Sequence, residues 1–426
     1  MAGSVYRIRA MTVFDRVHLQ RFADGLAAAL AFSLPWSTSA TGILAGLWLI
    51  AVIPTFDLAM LRRVISTPAG GLPVMLCALA IIGLLWGFDI PIAERWDGLK
   101  SYYKLLIIPL LMVQFQRSER ASWVMVGFLV SCVLLLILSW ALVMDPTLFW
   151  PWSSRGGRIG VPIKDYIAQS TVFTVCVLLL ASIAYRVWQK RRHGLALALS
   201  LLALAFLANV FFVSVSRTSL VVIPILVMLF ACKQLSRQAT VGLILAAAMT
   251  AVLAWSFSPQ VRSNIMEVLS EVRNFEPEGE RTRAGERLEF WKKSIGLIAD
   301  APLIGHGTGS IREKFRQTVT GKAGAAGLAT SNPHNQTLAV AIQLGLVGTT
   351  VLFALWSAHI LLFRGEGIAA WTGLGIVVQN IVGSLFNSHL FDFMQGWLYV
   401  LGVGIAGGVL LKSRAAPAPD TKAQSP

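Results

Sequence analysis

The sequence predicts an all-α polytopic membrane protein with about twelve transmembrane helices and one large polar loop late in the chain. Of its 426 residues, 56% are hydrophobic and only 13% are charged, whereas soluble domains carry about 25% charged residues. The apolar runs are continuous and do not alternate with polar residues. Because backbone groups in lipid must be paired within helices or closed barrels, such runs indicate helices.

Twelve apolar runs are candidates to cross a hydrocarbon core of about 30 Å, although the first and fourth are short. They fall near residues 22–36, 40–57, 72–88, 101–115, 121–143, 165–187, 194–213, 216–232, 239–257, 334–363, 367–387 and 391–411. We therefore expect helices 1–9 within residues 1–257 and a loop over 258–333. Helices 10–12 follow within 334–411, and a disordered tail occupies 412–426.

The distribution of basic residues predicts the topology. Lys and Arg are concentrated in alternate connections, whereas the short connections 37–39 and 388–390 contain neither residue. The positive-inside rule then places both termini in the cytoplasm and the large loop outside it. Because the positive residues are spread over these connections, the net charge of +15 does not indicate a nucleic-acid partner.

Motifs for soluble cofactors are missing from the sequence. It contains no Walker A motif, dinucleotide-binding fingerprint, nucleophile elbow or zinc-type cysteine spacing. The four cysteines lie in or beside apolar runs and are expected to be small core residues. We therefore expect no metal and no cofactor.

His334 lies at the end of the large loop, directly after a proline and before an apolar run. This boundary is typical of a helix N-terminus, where we expect free backbone N–H groups and a positive dipole end that suit an anion. The same field disfavours imidazolium, so His334 is a candidate general base, with Asn335 as a secondary site residue. A structural histidine is the alternative.

Arginines in the outer loops run against the positive-inside bias and need another explanation. Arg217, beside Ser216 and further hydroxyl residues, lies at the outer end of a span, where ionisable side chains usually face a cavity or partner. Arg158 lies in a short outer loop, and Arg287 lies at the start of a predicted amphipathic helix. All three are candidates to bind a pyrophosphate. The alternatives are interfacial snorkelling, lipid phosphate contact and a solvated helix face.

Other polar groups in the outer loops have less distinctive surroundings. Glu276, Glu278 and Glu280 form a carboxylate cluster without a nearby histidine, which favours a solvated turn over a metal site. His306, between two glycines, is expected to be a loop residue. Asp392, near the last outer turn, is a candidate to orient an imidazole or hold an arginine, with helix capping as the alternative.

Several motifs occur together in this chain. They are Arg158-Ile-Gly160, Ser216-Arg217, Arg287-Leu-Glu-Phe-Trp291, Asp300-Ala-Pro302-Leu-Ile-Gly305-His-Gly307-Thr-Gly309, and His334-Asn335 followed by Gly345-Leu-Val-Gly348. Together with the topology they resemble the O-antigen ligase / O-antigen polymerase superfamily. Where that pattern usually has a small hydrophobic residue between its glycines, this chain has His306.

The resemblance implies a GT-C-like fold and a metal-independent inverting glycosyltransferase at the periplasmic face of a bacterial inner membrane. Its substrates would be a polysaccharide on undecaprenyl pyrophosphate and a sugar hydroxyl on lipid A–core, both reached from the surrounding membrane lipids. If the roles of the family's residues are carried over to the matching positions, His334 is the base, and Arg217 and Arg287 hold the pyrophosphate. Arg158 and Asp392 are less close matches to the family pattern.

Three other functions remain open from the sequence. A polymerase would extend the same lipid-linked glycan, and a protein O-oligosaccharide transferase would attach it to protein. A secondary transporter or flippase belongs to a different class. Transporters often have paired inverted halves with interrupted helices, whereas the polar sequence here is concentrated in one late loop.

Overall fold

The computed structural model describes residues 2–148, 158–274, 276, 282–319, 324 and 326–415, with side chains from Arg16 onward. Within these ranges the regular structure is entirely helical, which confirms the predicted all-α class. The helices are α1 Ala2–Ser33, α2 Thr38–Val52, α3 Leu58–Ile65, α4 Pro68–Ile82, α5 Ile92–Tyr103, α6 Ile107–Arg117, α7 Ala121–Met144, α8 Tyr166–Gln189, α9 His193–Phe212, α10 Arg217–Gln234, α11 Arg237–Phe257, α12 Pro259–Arg273, α13 Arg283–Asp300, α14 Ile311–Val319, α15 Gln336–Leu362, α16 Ile368–Gly383 and α17 Phe393–Ala415.

Each of the twelve apolar runs falls on helical structure. Among the described residues, nine helices are long and apolar enough to cross a membrane. The other three runs correspond to the second half of α1, to α6 with the short 3-10 helix before it, and to α16. The protein is therefore a multi-pass membrane protein, and twelve crossings remain the prediction.

The helices pack around one large apolar core. α17 packs against α6 and α16, α8 packs against α9, and α15 packs against α4. The polar segment 258–335 forms α12, α13 and α14, which pack against the adjoining ends of α9, α11 and α15. We call this end of the bundle the loop end.

Helix α15 is interrupted at Gly345, whose backbone has φ 60° and ψ −153°. The segment 302–309 fills the interruption and satisfies its backbone groups. Four backbone hydrogen bonds join the two: His306 N to Ile342 O at 2.8 Å, Gly307 N to Gln343 O at 2.9 Å, Leu346 N to Pro302 O at 2.8 Å, and Val347 N to Leu303 O at 3.2 Å. Irregular backbone is tolerated at membrane depth when protein groups bury it in this way.

The glycine-rich motif and His306 have a structural explanation in this contact. Gly305, Gly307 and Gly309 all have positive φ, and a Cβ at Gly305 would clash with the backbone of α15. His306 Nε2 lies 2.7 Å from the carbonyl oxygen of Leu297, near the end of α13. As expected, His306 belongs to a loop, and its side chain fastens that loop to α13.

We predict that Gly345→Ala destabilises the protein by about 1–3 kcal/mol, because L-residues rarely adopt this backbone conformation. The added Cβ would also clash with the backbone of Leu303. The thermal midpoint in detergent measures the effect. Gly242→Ala in α11 is the control, since its Cβ would meet no atom within 4 Å. It is expected to be neutral or slightly stabilising. Equal midpoints for the two variants would contradict the prediction.

Candidate functional site

His334 lies in a turn directly before α15. Its backbone has φ 54°, an uncommon value outside glycine, and its N–H donates to Asn332 Oδ1 at 2.9 Å. The imidazole lies nearly parallel to the ring of Phe290, with the centroids 6.2 Å apart. The side chain is half-buried. The turn and the aromatic contact hold the imidazole at the loop end.

Two asparagines determine which nitrogen of His334 carries the proton. Because the backbone N–H of His334 and the hydroxyl of Ser388 both donate to Asn332 Oδ1, the Nδ2 group of Asn332 is free to donate to Asn387 Oδ1 at 3.0 Å. Asn387 in turn donates through Nδ2 to Asp392 Oδ2 at 2.7 Å. His334 Nδ1 lies 2.9 Å from Asn387 Oδ1, which can only accept. Nδ1 therefore carries the proton, and Nε2 has the free lone pair.

The surroundings of His334 favour the neutral ring. Burial lowers the pKa of His334 from its ordinary value of 6.5, the hydrogen bond with Asn387 raises it, and the charge of Arg287 lowers it, with a net downward shift. A neutral imidazole with one free nitrogen is able to accept a proton. The direction agrees with the sequence prediction, but burial is the main cause.

Arg287 lies in the first turns of α13 and is half-buried. Within the part of the chain that the structure describes, its guanidinium has no hydrogen bond or ion pair. Burial, followed by the positive charge of Arg217, lowers the pKa of Arg287, yet arginine remains charged at neutral pH. Phe290, three residues after Arg287 on α13, stacks on His334, and Arg287 acts electrostatically on the imidazole. A guanidinium that no described residue pairs therefore lies near the candidate base.

Arg217 is the first residue of α10 and faces two carboxylates of α12. Its Nη2 lies 3.2 Å from Glu267 Oε2 and 3.2 Å from Glu271 Oε1. Neither partner was expected from the sequence, although Glu267 and Glu271 are four residues apart and therefore share a helix face. Arg217 also acts electrostatically on Arg287, but its own charge is already partly balanced by the two glutamates.

Glu271 joins three helices. Besides Arg217 at the start of α10, it accepts a hydrogen bond from the backbone N–H of Ala284, in the first turn of α13, at 2.5 Å. Burial raises the pKa of Glu271, but the bonds from Arg217 and Ala284 outweigh burial and give a net lowering. The carboxylate is therefore charged at neutral pH and fixes α13, which carries Arg287, relative to α10.

Arg158 approaches the same cluster from the outer loop before α8. Its guanidinium stacks on the ring of Tyr166 at 3.9 Å from the centroid, and Nη1 donates to the carbonyl of Val215 at 3.1 Å. Tyr166 is also an electrostatic neighbour of Arg287. Two of the three candidate arginines, Arg158 and Arg287, thus lie near Tyr166. The neighbouring loop residues 149–157 lie outside the described residues.

Asp392 contacts neither His334 nor an arginine directly. Its carboxylate accepts from Asn387, which links it to the imidazole through one amide. Burial raises the pKa of Asp392 to about 7, against the opposing charge of Lys104. Asp392 is therefore connected to the imidazole only through the amide of Asn387 among the described residues, and no sequence motif indicates this intervening amide.

Ser216 and Asn335 are helix caps. The buried Ser216 hydroxyl accepts from Ser219 N at the start of α10. Asn335 accepts from Thr337 N and Leu338 N, and the N–H of Gln336 donates to the carbonyl of Ser384. The expectation of free N–H groups at the start of α15 is therefore wrong. These N–H groups already donate to the side chain of Asn335 and to the carbonyl of Ser384.

The predicted carboxylate cluster is only partly visible. Glu278 and Glu280, together with Arg281, lie outside the described residues, as do the tail residues 416–426. Across the described ranges, His, Cys, Asp and Glu form no group of three that suits a metal ion.

Residues 202–353 match the family model described as O-antigen ligase. The match covers roughly a third of the 426-residue chain. It includes Arg217, Arg287 and His334 but not Arg158 or Asp392. No curated protein sequence matches the chain. The family match confirms the resemblance carried by the motifs.

We predict that Glu271→Gln lowers the free energy of unfolding by about 1.5–3 kcal/mol at neutral pH, because it removes a charged hydrogen-bond acceptor. The pKa of Glu271 is lowered from 4.5, so its contribution is present above that value and is lost as the pH falls through the folded-state pKa. The difference from wild type is therefore expected to shrink in acid.

Thermal midpoints in detergent at neutral and acidic pH measure this effect. Glu267→Gln is the matched control because Glu267 binds the same arginine with a side chain that is 48% exposed. Its loss is expected to be smaller. An equal loss for both variants, or a pH-independent difference for Glu271→Gln, would contradict the assignment.

Proposed function

The chain carries an O-antigen ligase family domain over residues 202–353, and on that premise we propose that it transfers a glycan from a polyprenyl pyrophosphate to a glycolipid. The donor is a polysaccharide on undecaprenyl pyrophosphate, and the acceptor is a sugar hydroxyl of lipid A–core. The reaction takes place at the periplasmic face of a bacterial inner membrane, with both termini in the cytoplasm. The surrounding bilayer supplies both lipids.

One observation carries this proposal: an imidazole whose surroundings favour its neutral form lies near the guanidinium of Arg287, which has no hydrogen bond or ion pair with any described residue. Glycosyl transfer from a pyrophosphate requires a group that takes the acceptor proton and a cation that stabilises the leaving anion. His334 Nε2 suits the first role, because Nδ1 is committed to Asn387. Arg287 suits the second, because guanidinium binds phosphate oxygens through two parallel hydrogen bonds.

In the proposed reaction the acceptor hydroxyl oxygen attacks the anomeric carbon of the donor. The bond between that carbon and the pyrophosphate oxygen breaks, and its electron pair stays with the pyrophosphate. His334 Nε2 takes the hydroxyl proton. Attack from the face opposite the leaving group inverts the anomeric configuration. Arg287, with Arg217 and Arg158, stabilises the pyrophosphate as its negative charge grows. We propose that the reaction is independent of a metal ion.

A transporter is the candidate from a different class, and the interruption of α15 is the observation that favours it. Transporters use discontinuous helices whose free ends hold ions or substrates. Here the interruption is filled by segment 302–309, whose backbone binds the groups freed at Gly345. The backbone groups that segment 302–309 pairs are not free to bind an ion or a substrate. The transferase is therefore the better-supported function.

We predict that His334→Ala lowers transfer by about 10²–10⁴-fold, as expected for loss of a general base. The assay is lipopolysaccharide from cells lacking their own ligase, complemented at matched membrane levels. Wild type restores long-chain material on lipid A–core, whereas His334→Ala leaves the glycan on its carrier. His193→Ala, an exposed histidine at the start of α9, is the matched control and retains activity.

Two other outcomes of this assay would contradict the proposal. A polymerase would convert a single carrier-bound unit into a ladder without loading lipid A–core. A transporter would leave the linkage of the glycan unchanged in every variant.

Arg287→Ala is expected to raise the donor KM about 10–100-fold, because charged hydrogen bonds to the pyrophosphate are lost. Arg287→Lys is expected to be only partly active, because an ammonium cannot form two parallel hydrogen bonds as a guanidinium does.

We predict that Asn387→Leu changes the pH profile as well as the rate. Transfer falls in acid as His334 becomes protonated, with an inflection below 6.5 because the pKa of His334 is lowered. The bond to Asn387 raises that pKa, so its loss moves the inflection to still lower pH. The plateau also falls by about tenfold or more, because the ring no longer holds one tautomer.

Initial rates between pH 4 and 8 in detergent test this positioning role. Asn274→Leu, an exposed asparagine after α12, is the matched control. A purely structural defect would lower the plateau and leave the inflection where it is in wild type, which would contradict the role of Asn387.

A further inference from the structure

A polar pocket of about 240 Å³ shares a wall with the network that holds His334. Asn332, Ser388 and Asp392, which belong to that network, line one side of it. The opposite side comes from α5 and α14, with Glu94, Asp97, Ser101 and Arg312 among the lining residues. One water needs only about 10–15 Å³ of such space. The pocket is therefore sized for a ligand of many atoms.

The lining of this pocket differs from the arginine cluster. Glu94, Asp97 and Asp392 contribute carboxyl groups beside the guanidinium of Arg312, and Arg316 and Lys100 balance the charges of Glu94 and Asp97. Carboxyl and amide groups form hydrogen bonds with hydroxyl groups. Phe391 also lines the pocket. This combination suits a sugar.

Glu94 is held in place at the wall of the pocket. Its side chain is only 15% exposed, and Oε1 forms an ion pair with Arg316 at 3.0 Å. The other oxygen, Oε2, is buried and has no hydrogen-bond partner among the described residues. The ion pair therefore fixes the orientation of this lining carboxylate.

We propose that this pocket binds the terminal sugar of the acceptor glycolipid through that sugar's hydroxyl groups. The inference rests on the proposed function and assigns its second substrate to a place. Asn332 and Asp392 belong both to the pocket and to the network that holds His334, so the bound sugar lies next to that network. The pyrophosphate binds at the arginines, so the two substrates occupy separate places at the loop end.

Two variants that fill the pocket test this inference. Ser101→Trp enters it from α5, and Ser331→Trp enters from an exposed loop position, where a large side chain is tolerated in the fold. Glu94→Gln removes a carboxylate at nearly constant volume. Ser263→Trp on the exposed face of α12 is the matched control. Thermal midpoints in detergent show whether each variant is folded.

Initial rates are measured with purified protein, an undecaprenyl-pyrophosphate-linked glycan and purified lipid A–core. The pocket variants are expected to raise the acceptor KM at least tenfold with the donor KM unchanged, and Ser263→Trp to match wild type. An unchanged acceptor KM in folded pocket variants overturns the inference while the function stands. A raised donor KM assigns the pocket to the donor glycan and also overturns it. If wild type transfers no glycan, the proposed function fails, and the inference fails with it.

Discussion

The requirement that every backbone group in a membrane be paired shapes this structure most strongly at Gly345. The interruption of α15 exposes backbone donors and acceptors, and segment 302–309 satisfies them with its own. This contact connects the loop helices to the bundle, because α13 ends just before the segment and α14 begins just after it. Arg287 on α13, the pocket wall on α14 and His334 at the start of α15 all depend on it for their relative positions.

The loop end has two different polar regions. On one side, Arg158 and Arg287 lie near Tyr166, and two glutamates of α12 balance part of the charge of Arg217. On the other side, carboxyl and amide groups line a cavity that reaches the histidine network, and cations pair with two of the carboxylates. In the proposed function, the first region takes the anionic substrate and the second takes the neutral, hydroxylated one.

The sequence predicted the features that depend on composition. Apolar runs located the helices, whereas the role of the arginines placed against the positive-inside bias stays a prediction. Contacts between residues far apart in the chain could not be predicted from the sequence. Glu271 lies 54 residues from Arg217, and Asn387 lies 53 residues from His334. The error at the start of α15 was avoidable, since an asparagine before a helix commonly caps its N–H groups. The positive φ of Gly345 depends on the inserted segment and has no local signal.

The amide of Asn387 has a consequence for the motion that accompanies proton transfer. An amide keeps the same donors and acceptors throughout the neutral pH range, whereas a carboxylate at this position could itself take up the proton. When His334 gains a proton at Nε2, its Nδ1–H still donates to the same oxygen of Asn387. Neither the imidazole ring nor the amide of Asn387 needs to rotate when the proton arrives. In the proposed transfer, His334 can therefore cycle between its two charge states with little reorganisation of the protein around it.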